Sequence, residues 1–202
     1  MIKHRADKYS IMTSNGFTGV RSFVFSQDGM FIAGQYSDGI KVLDAKTGSL
    51  LSTFMGNGLD RKLVFSPNSK YIISTKRLDS YPFSSEMWDL NCSYFKSLDG
   101  RNATFSHNGE KIATIKGKNT VLIWDMNGNF LDSLNTTEVG HKNTITSLVF
   151  TFDGNLITNC SSDDNTQIWD LKSGMITKSI WDSILFFLMM EEYWQLPVLT
   201  NQ

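Results

Sequence analysis

The sequence has little cysteine and no excess of either charge. Its 202 residues include two cysteines, three prolines, 19 basic and 20 acidic side chains, with a formal net charge of −1 at pH 7. Cys92 and Cys160 lack C-x-x-C spacing, so neither a disulfide framework nor a thiolate metal site is indicated. The balanced charge disfavours nucleic-acid binding and attraction to acidic membranes. Cytoplasmic residence is therefore expected, with a nuclear location as the alternative.

Long apolar runs and catalytic signatures are also missing. The N-terminal stretch MIKHRADKYS is polar and lacks the apolar core of a secretory signal. The apolar run Ile184 to Met190 is too short to span a bilayer. No P-loop, dinucleotide fingerprint or paired-carboxylate constellation is present. A hydrophobic content of 41% with 12% aromatic residues is instead ordinary for an ordered globular protein.

What the sequence does contain is a repeated strand-and-turn pattern. The motif recurs as FSQDG from Phe25, FSPNS from Phe65, FSHNG from Phe105 and FTFDG from Phe150, at intervals of 40, 40 and 45 residues. Each copy combines Asp or Asn with Gly or Ser, which suits a hairpin turn that must admit a left-handed residue. The chain is therefore predicted to repeat one structural unit four times.

Each copy also ends its third apolar run with a dipeptide that carries aspartate. These dipeptides are Leu43-Asp44, Trp88-Asp89, Trp124-Asp125 and Trp169-Asp170. The fullest copy, from Val139 to Ile180, opens with Gly140-His141. Its apolar runs predict four strands, Ile145 to Phe150, Leu156 to Cys160, Thr166 to Trp169 and Met175 to Ile180.

These repeats resemble the WD-repeat β-propeller family over about residues 20 to 180. The resemblance implies an all-β fold of four four-stranded antiparallel blades, at about 20–54, 60–98, 101–134 and 140–180. Residues 1–19 are expected to be an N-terminal segment with one strand, Tyr9 to Thr13. Because the blades resemble those of larger rings, four of them predict an open or partial propeller.

The segment 181–202 departs from the pattern and forms a divergent apolar tail. Asp182 or Ser183 could cap a short helix there, whereas Ile184 to Met190 could instead begin another blade. A third alternative is that the tail replaces a normal continuation of the repeats. We expect the tail to pack on an end blade or to mediate self-association.

The resemblance also implies a set of structural residues within the blades. In the fourth repeat, His141, Asp164 and Trp169 are expected to form a buried hydrogen-bonded set with a hydroxyl from Ser161 or Ser162. Trp124 and Trp88 are the corresponding structural residues of the third and second repeats. The first three repeats have no histidine where His141 stands, so packing is expected to hold them. Neither a hydrolytic triad nor a metal site is expected from these residues.

A partner-binding rim is predicted at the turns between second and third strands. Related proteins commonly receive peptides there, and the second repeat carries an insert at this place. Tyr and Arg side chains often anchor interfaces. The candidate residues are Tyr36, Arg77, Tyr81, Phe83, Lys116 and Lys118.

The resemblance implies a non-enzymatic protein–protein interaction scaffold or adaptor that needs no cofactor. A fold alone does not determine function, so alternatives stay open. The main alternative is the sensing or regulatory portion of a larger enzyme whose catalytic domain lies outside this chain. A propeller enzyme that acts at a central channel is disfavoured, because catalytic groups are absent.

Overall fold

The computed structural model describes residues 20–36, 38–54, 61–76, 84–91, 93–135, 144–160 and 165–181. These residues form sixteen β-strands and no helix. The predicted strand Tyr9 to Thr13 and the tail after Trp181 lie outside the described residues.

The sixteen strands form four separate four-stranded sheets, each antiparallel and each taken from consecutive strands. Three turns therefore connect the strands of every sheet. This architecture confirms the predicted all-β fold.

Sheet 1 contains β1 (Ser22–Phe25), β2 (Phe31–Tyr36), β3 (Gly39–Asp44) and β4 (Leu50–Phe54). Sheet 2 contains β5 (Arg61–Phe65), β6 (Tyr71–Lys76), β7 (Ser84–Asp89) and β8 (Tyr94–Asp99). Sheet 3 contains β9 (Arg101–Phe105), β10 (Lys111–Lys116), β11 (Thr120–Asp125) and β12 (Phe130–Asn135). Sheet 4 contains β13 (Ile145–Phe150), β14 (Leu156–Cys160), β15 (Asn165–Asp170) and β16 (Met175–Trp181).

The chain divides into two compact units, one ending at Arg101 and one beginning at Asn102. In the first unit, one face of sheet 1 packs against one face of sheet 2. We call the first the back face of sheet 1 and the second the front face of sheet 2. The back face consists of Ala33, Ile40, Val42 and Phe54, and the front face of Leu63, Phe65, Ile72 and Trp88.

The second unit has the same construction. The back face of sheet 3 consists of Ala113, Val121, Ile123 and Leu134, and the front face of sheet 4 includes Ile145, Leu148, Phe150 and Trp169. Most of these side chains are fully or nearly fully buried, so this layer is the hydrophobic core of the unit. Burying apolar area at roughly 25 cal/mol per Å² is the main stabilising term for such a layer.

Every sheet has a bulge at the end of its third strand. The pairing register of the third and fourth strands shifts at Val42/Leu43, Met87/Trp88, Ile123/Trp124 and Ile168/Trp169. A bulge bends the strand and re-aims the side chain beside it. The position of the repeat's tryptophan is therefore irregular in all four sheets, including sheet 1, which has leucine there.

The first turn of each sheet is closed by a hydroxyl side chain and an Asp or Asn two residues later. The Ser26 hydroxyl donates to Asp28 Oδ1 at 2.6 Å and accepts from the Phe31 amide at 2.9 Å. The corresponding pairs are Ser66 with Asn68, Ser106 with Asn108 and Thr151 with Asp153. These contacts hold the turn with side chains that the sequence repeats in every copy.

The third turn is closed by the aspartate of the dipeptide. Asp170 accepts hydrogen bonds from the amides of Lys172 and Ser173, at 2.7 and 2.8 Å. Asp44, Asp89 and Asp125 accept from two backbone amides in the same way. Aspartate, and not tryptophan, is therefore the part of the motif with the same contacts in all four sheets.

These contacts lower the pKa of several turn carboxyls below the ordinary value of 3.8. The Ser26 hydroxyl is the main cause for Asp28, and the Thr151 hydroxyl for Asp153. The Thr47 hydroxyl lowers the pKa of Asp44, and the Ser173 amide lowers that of Asp170. Because hydrogen bonds to the charged form favour that form, each carboxylate contributes stability above 3.8 that is lost as the pH falls through the lowered pKa.

We therefore expect the free energy of unfolding to fall as the pH drops below 3.8, and the variant D28N/D153N to reduce this fall. Asparagine already occupies the equivalent positions 68 and 108, so the variant should remain folded at pH 7. Denaturant titrations between neutral and acidic pH measure the effect. D132N, which removes an exposed carboxylate on β12, is the matched control. Identical acid dependence in D28N/D153N and wild type would contradict this account.

Candidate functional site

The predicted structural tryptophans lie at equivalent register positions but make different contacts. Trp124 donates from Nε1 to the Thr114 hydroxyl at 2.9 Å, from β11 to β10. The third sheet therefore has a polar lock as well as packing, contrary to the expectation that packing alone holds it. Trp88 has a buried Nε1 with no hydrogen-bond partner, and its ring packs against Phe54 and Tyr94, both at 5.3 Å between centroids.

Trp169 lies in the core of the second unit and is 1% exposed. The expected members of its set, His141, Asp164, Ser161 and Ser162, lie outside the described residues. The register of β14 and β15 nevertheless identifies the position that corresponds to Thr114. Thr158 pairs with Gln167, two residues before Trp169, as Thr114 pairs with Leu122, two residues before Trp124. The equivalent hydroxyl position in the fourth sheet is therefore Thr158.

Sheet 1 replaces this arrangement with a different one. Leu43 stands at the tryptophan position and Gly34 at the hydroxyl position, so both partners of the lock are missing together. The Tyr36 ring fills the space above Gly34. A Cβ atom at residue 34 would lie 2.9 Å from Tyr36 Cε2 and 3.2 Å from Val20 Cγ2. Glycine is therefore required by the close approach of these two side chains.

The burial of Tyr36 corrects its assignment to the partner-binding rim. Tyr36 is only 5% exposed, so it packs on its own sheet and does not offer a surface to a partner. Burial is the main reason that the pKa of Tyr36 is raised above 10.0. Lys41 Nζ lies 4.6 Å from the ring centroid and also contacts Asp38 at 3.0 Å, which lowers the pKa of Asp38. Exposed ion pairs of this kind contribute little to stability.

The other rim residues divide into exposed and undescribed ones. Lys116 and Lys118 are exposed at the turn between β10 and β11. The backbone oxygen of Lys118 accepts from the Ile145 amide at 2.9 Å, which ties this turn to the start of β13. Arg77, Tyr81 and Phe83 fall between the end of β6 and the start of β7, outside the described residues.

The exposed apolar side chains lie mainly at the opposite end of the sheets, beside the first and third turns. The fourth strand of each of the first three sheets begins with two of them, Leu50-Leu51, Tyr94-Phe95 and Phe130-Leu131, which are 41% to 56% exposed. Met30, Phe152 and Met175 lie at the same end of their sheets. The sequence signal for these residues is the pair of adjacent apolar residues after each third turn, which by itself predicts only the start of a strand.

Several rings at this end are fixed by neighbouring aromatic residues. Tyr94 contacts Trp88 edge-on, and Phe95 contacts Tyr71 at 5.5 Å between centroids. In the second unit Phe130 contacts Trp124 at 5.8 Å, and Phe152 lies 4.5 Å from His107. Such contacts leave one side of each ring in solvent while they restrict its rotamers.

Within the described ranges, no three His, Cys, Asp or Glu side chains lie close enough to hold a metal ion. Those ranges also contain no helix that is long and apolar enough to cross a membrane.

Comparison with known proteins confirms the resemblance to WD-repeat proteins. Residues 132–170 match the family "WD domain, G-beta repeat". The chain is 30% identical over 70 residues to a WD repeat-containing protein 26 homolog of Arabidopsis thaliana. It is 35% identical over 69 residues to nuclear distribution protein PAC1 of Candida tropicalis. These alignments cover 35% and 34% of this chain but only 12% and 13% of the two relatives, so the chain spans a small part of their length.

A solved structure supports the fold. Kuenenia stuttgartiensis hydrazine synthase superposes with a TM-score of 0.63 at 13% identity. The match covers 80% of this chain and 48% of that chain. At this identity the similarity shows a propeller-type fold and nothing about activity.

We expect T114V to reduce the free energy of unfolding by about 1–3 kcal/mol, because it leaves the Trp124 N–H without its acceptor. T114S, which keeps the hydroxyl, should cost less. Urea titrations of the three proteins measure the difference. A smaller loss for T114V than for T114S would show that the methyl group of Thr114, and not its hydroxyl, matters.

We expect G34A to destabilise the chain by about 1–3 kcal/mol, because the added methyl group meets the Tyr36 ring at 2.9 Å. In the double variant G34A/Y36A the ring is absent. The loss of stability of the double variant should therefore be smaller than the sum of the losses of G34A and Y36A. Thermal and urea unfolding of the single and double variants measure this coupling. Strict additivity would contradict the proposed contact.

Proposed function

We propose that this chain is a non-enzymatic protein-interaction module that contacts its partner with apolar side chains beside the first and third turns of its sheets. The proposal depends above all on the exposed pairs Leu50-Leu51 and Tyr94-Phe95 of the first unit. Aromatic residues and methionine are enriched in protein interfaces, whereas lysine is depleted. These residue types favour the apolar end over the lysine-bearing rim as the principal contact surface.

The Tyr94-Phe95 pair is the strongest part of this surface. Trp88 and Tyr71 already restrict the two rings, so binding a partner would cost little additional side-chain entropy. Tyr94 also has a hydroxyl group that can hydrogen-bond at the margin of an apolar contact. We therefore assign the central contact to this pair.

An extended apolar segment is the partner structure that fits this place. β8 is an edge strand of sheet 2, and an edge is the place where a partner strand can be added to a sheet. Strand addition supplies main-chain hydrogen bonds, and exposed side chains such as those of Tyr94 and Phe95 supply specificity. The partner is accordingly a protein with an exposed apolar strand.

The rim between second and third strands is the second candidate surface. Lys116 and Lys118 are exposed there, and two positive charges on one turn favour an acidic segment. Arg77, Tyr81 and Phe83 complete this candidate from the sequence. The scaffold role in either case is supported by the similarity to WD repeat proteins, and we place its action in the cytoplasm.

A selection experiment tests the two surfaces against each other. A displayed library of random linear peptides is selected on the full-length chain, and an enriched peptide is titrated by fluorescence anisotropy. We expect Y94S/F95S to weaken its binding at least tenfold and K116E/K118E to change it less than twofold, estimates based on a loss of about 1.4 kcal/mol or more at an interface anchor.

The control is L50S/L51S, which removes two apolar side chains of similar exposure from the fourth strand of sheet 1. L50S/L51S should reduce binding less than Y94S/F95S, because the rings of Trp88 and Tyr71 restrict Tyr94 and Phe95. If K116E/K118E abolishes binding while Y94S/F95S leaves it unchanged, the rim is the binding surface and the apolar end is not.

A further inference from the structure

The first strand of sheet 1 exposes two phenylalanines whose equivalents in the other sheets are buried. Phe25 is 54% exposed, whereas Phe65, Phe105 and Phe150 in the same motif are 7% to 8% exposed. Phe23 is 58% exposed, whereas its equivalents are Leu63, Ala103 and Leu148, with exposures of 7%, 0% and 2%. Since the four motifs are nearly identical, the difference lies in what covers each sheet.

Within each unit, the cover is the back face of the preceding sheet. Leu63 and Phe65 are buried against the back face of sheet 1, and Leu148 and Phe150 against that of sheet 3. Packing of a front face on a back face therefore occurs twice in the chain. Phe23 and Phe25 belong to the front face of sheet 1, where no described sheet performs this role.

The opposite half of the same contact is partly open on sheet 4. Ile168 occupies the register position of Val42 and Ile123, and Ile180 that of Phe54 and Leu134. Both isoleucines are partly exposed, whereas all four equivalents are at most 4% exposed. Thr166, at the position of Ile40 and Val121, is 3% exposed, so the open part of the back face of sheet 4 consists of the aliphatic residues Ile168 and Ile180.

We propose that the chain associates with a second copy of itself, head to tail, by packing the back face of sheet 4 on the front face of sheet 1. The exposed residues of these two faces are the phenylalanines of β1 and the isoleucines of β15 and β16, and apolar side chains of this kind already pack together inside each unit. A contact between two different surfaces of identical chains is heterologous, so it extends into a closed ring or a filament. Exposed apolar faces of this kind are expected to be covered by a partner.

The contact is centred on the first strands. On the front face of sheet 1, Ile32 and Leu43 are only 1% and 6% exposed, so the open part is the margin formed by β1. The internal contacts also include first strands, since β1 packs near β5 and the side-chain Nδ2 of Asn102 on β9 donates to the backbone oxygen of Thr146 at 2.9 Å. In the proposed contact, Ser147 of one copy occupies the position of Asn102, and Arg21 of the next copy occupies the position of Thr146.

Sedimentation velocity over a range of concentrations tests self-association of the full-length chain. We expect wild type to gain mass with concentration and F23S/F25S to remain monomeric. The matched control F130S/L131S removes two apolar side chains of similar exposure, 56% and 51%, and should associate like wild type. Far-UV circular dichroism verifies that each variant keeps its sheet content.

Chemical cross-linking tests the head-to-tail arrangement independently of mutant stability. The variants R21C and S147C, each with the natural cysteines, are treated with a short bismaleimide alone and as a mixture. We expect the mixture to form a product of twice the chain mass well above the level given by either variant alone or by wild type. Peptide mapping should locate the link between residues 21 and 147.

The variant F186S/F187S separates this contact from association through the C-terminal tail. It should associate like wild type if the two faces make the contact. The proposal is overturned if wild type is monomeric at every concentration, if the tail variant dissociates while F23S/F25S does not, or if the mixture gives no additional cross-link. None of these results concerns peptide binding at Tyr94 and Phe95, so the proposed function is judged separately.

Discussion

Packing of one sheet on the next is the constraint on which the rest of this structure depends. A four-stranded sheet with apolar residues on both faces is not stable by itself in water, because its faces need cover. In each unit a back face supplies that cover to a front face, as Phe54 does for Trp88. The match at residues 132–170 begins in β12 and ends with β15, so the sequence repeat spans two adjacent sheets. One repeat therefore links the sheets that pack together.

Different physical requirements determine the residues in the turns and at the tryptophan positions. Each turn must satisfy its own backbone amides, and the aspartate after the third strand does so without help from another sheet. The tryptophan position faces a neighbouring sheet, so its residue can change when the surroundings change. Sheet 1 illustrates this, since Leu43, Gly34 and the Tyr36 ring replace the tryptophan and its hydroxyl partner together.

The same reasoning relates the surfaces of the chain to its function. Among the described residues, most large apolar side chains are buried by the packing of the sheets. Those that stay exposed beside the turns are not needed for this packing and can contact a partner. Trp88 connects the two roles, because one side of its ring packs on Phe54 and Tyr94 packs against it towards the solvent. The core thereby holds in place the aromatic residues that we assign to binding.

The sequence by itself determined the strands, the turns and their order. Alternating apolar residues and hairpin turns are local signals, so the predicted strands of sheet 4, such as Ile145 to Phe150, agree with the structure to within one residue at each end. Only the tertiary structure decided which positions are buried, because burial depends on the neighbouring sheet. The sequence places Tyr36 on the rim, but in the structure its ring is buried above Gly34. The motifs of Phe25 and Phe65 look alike, although only Phe65 is buried. The hydroxyl that binds Trp124 could not be identified before the register was known, since a shift of one residue moves a side chain to the other face.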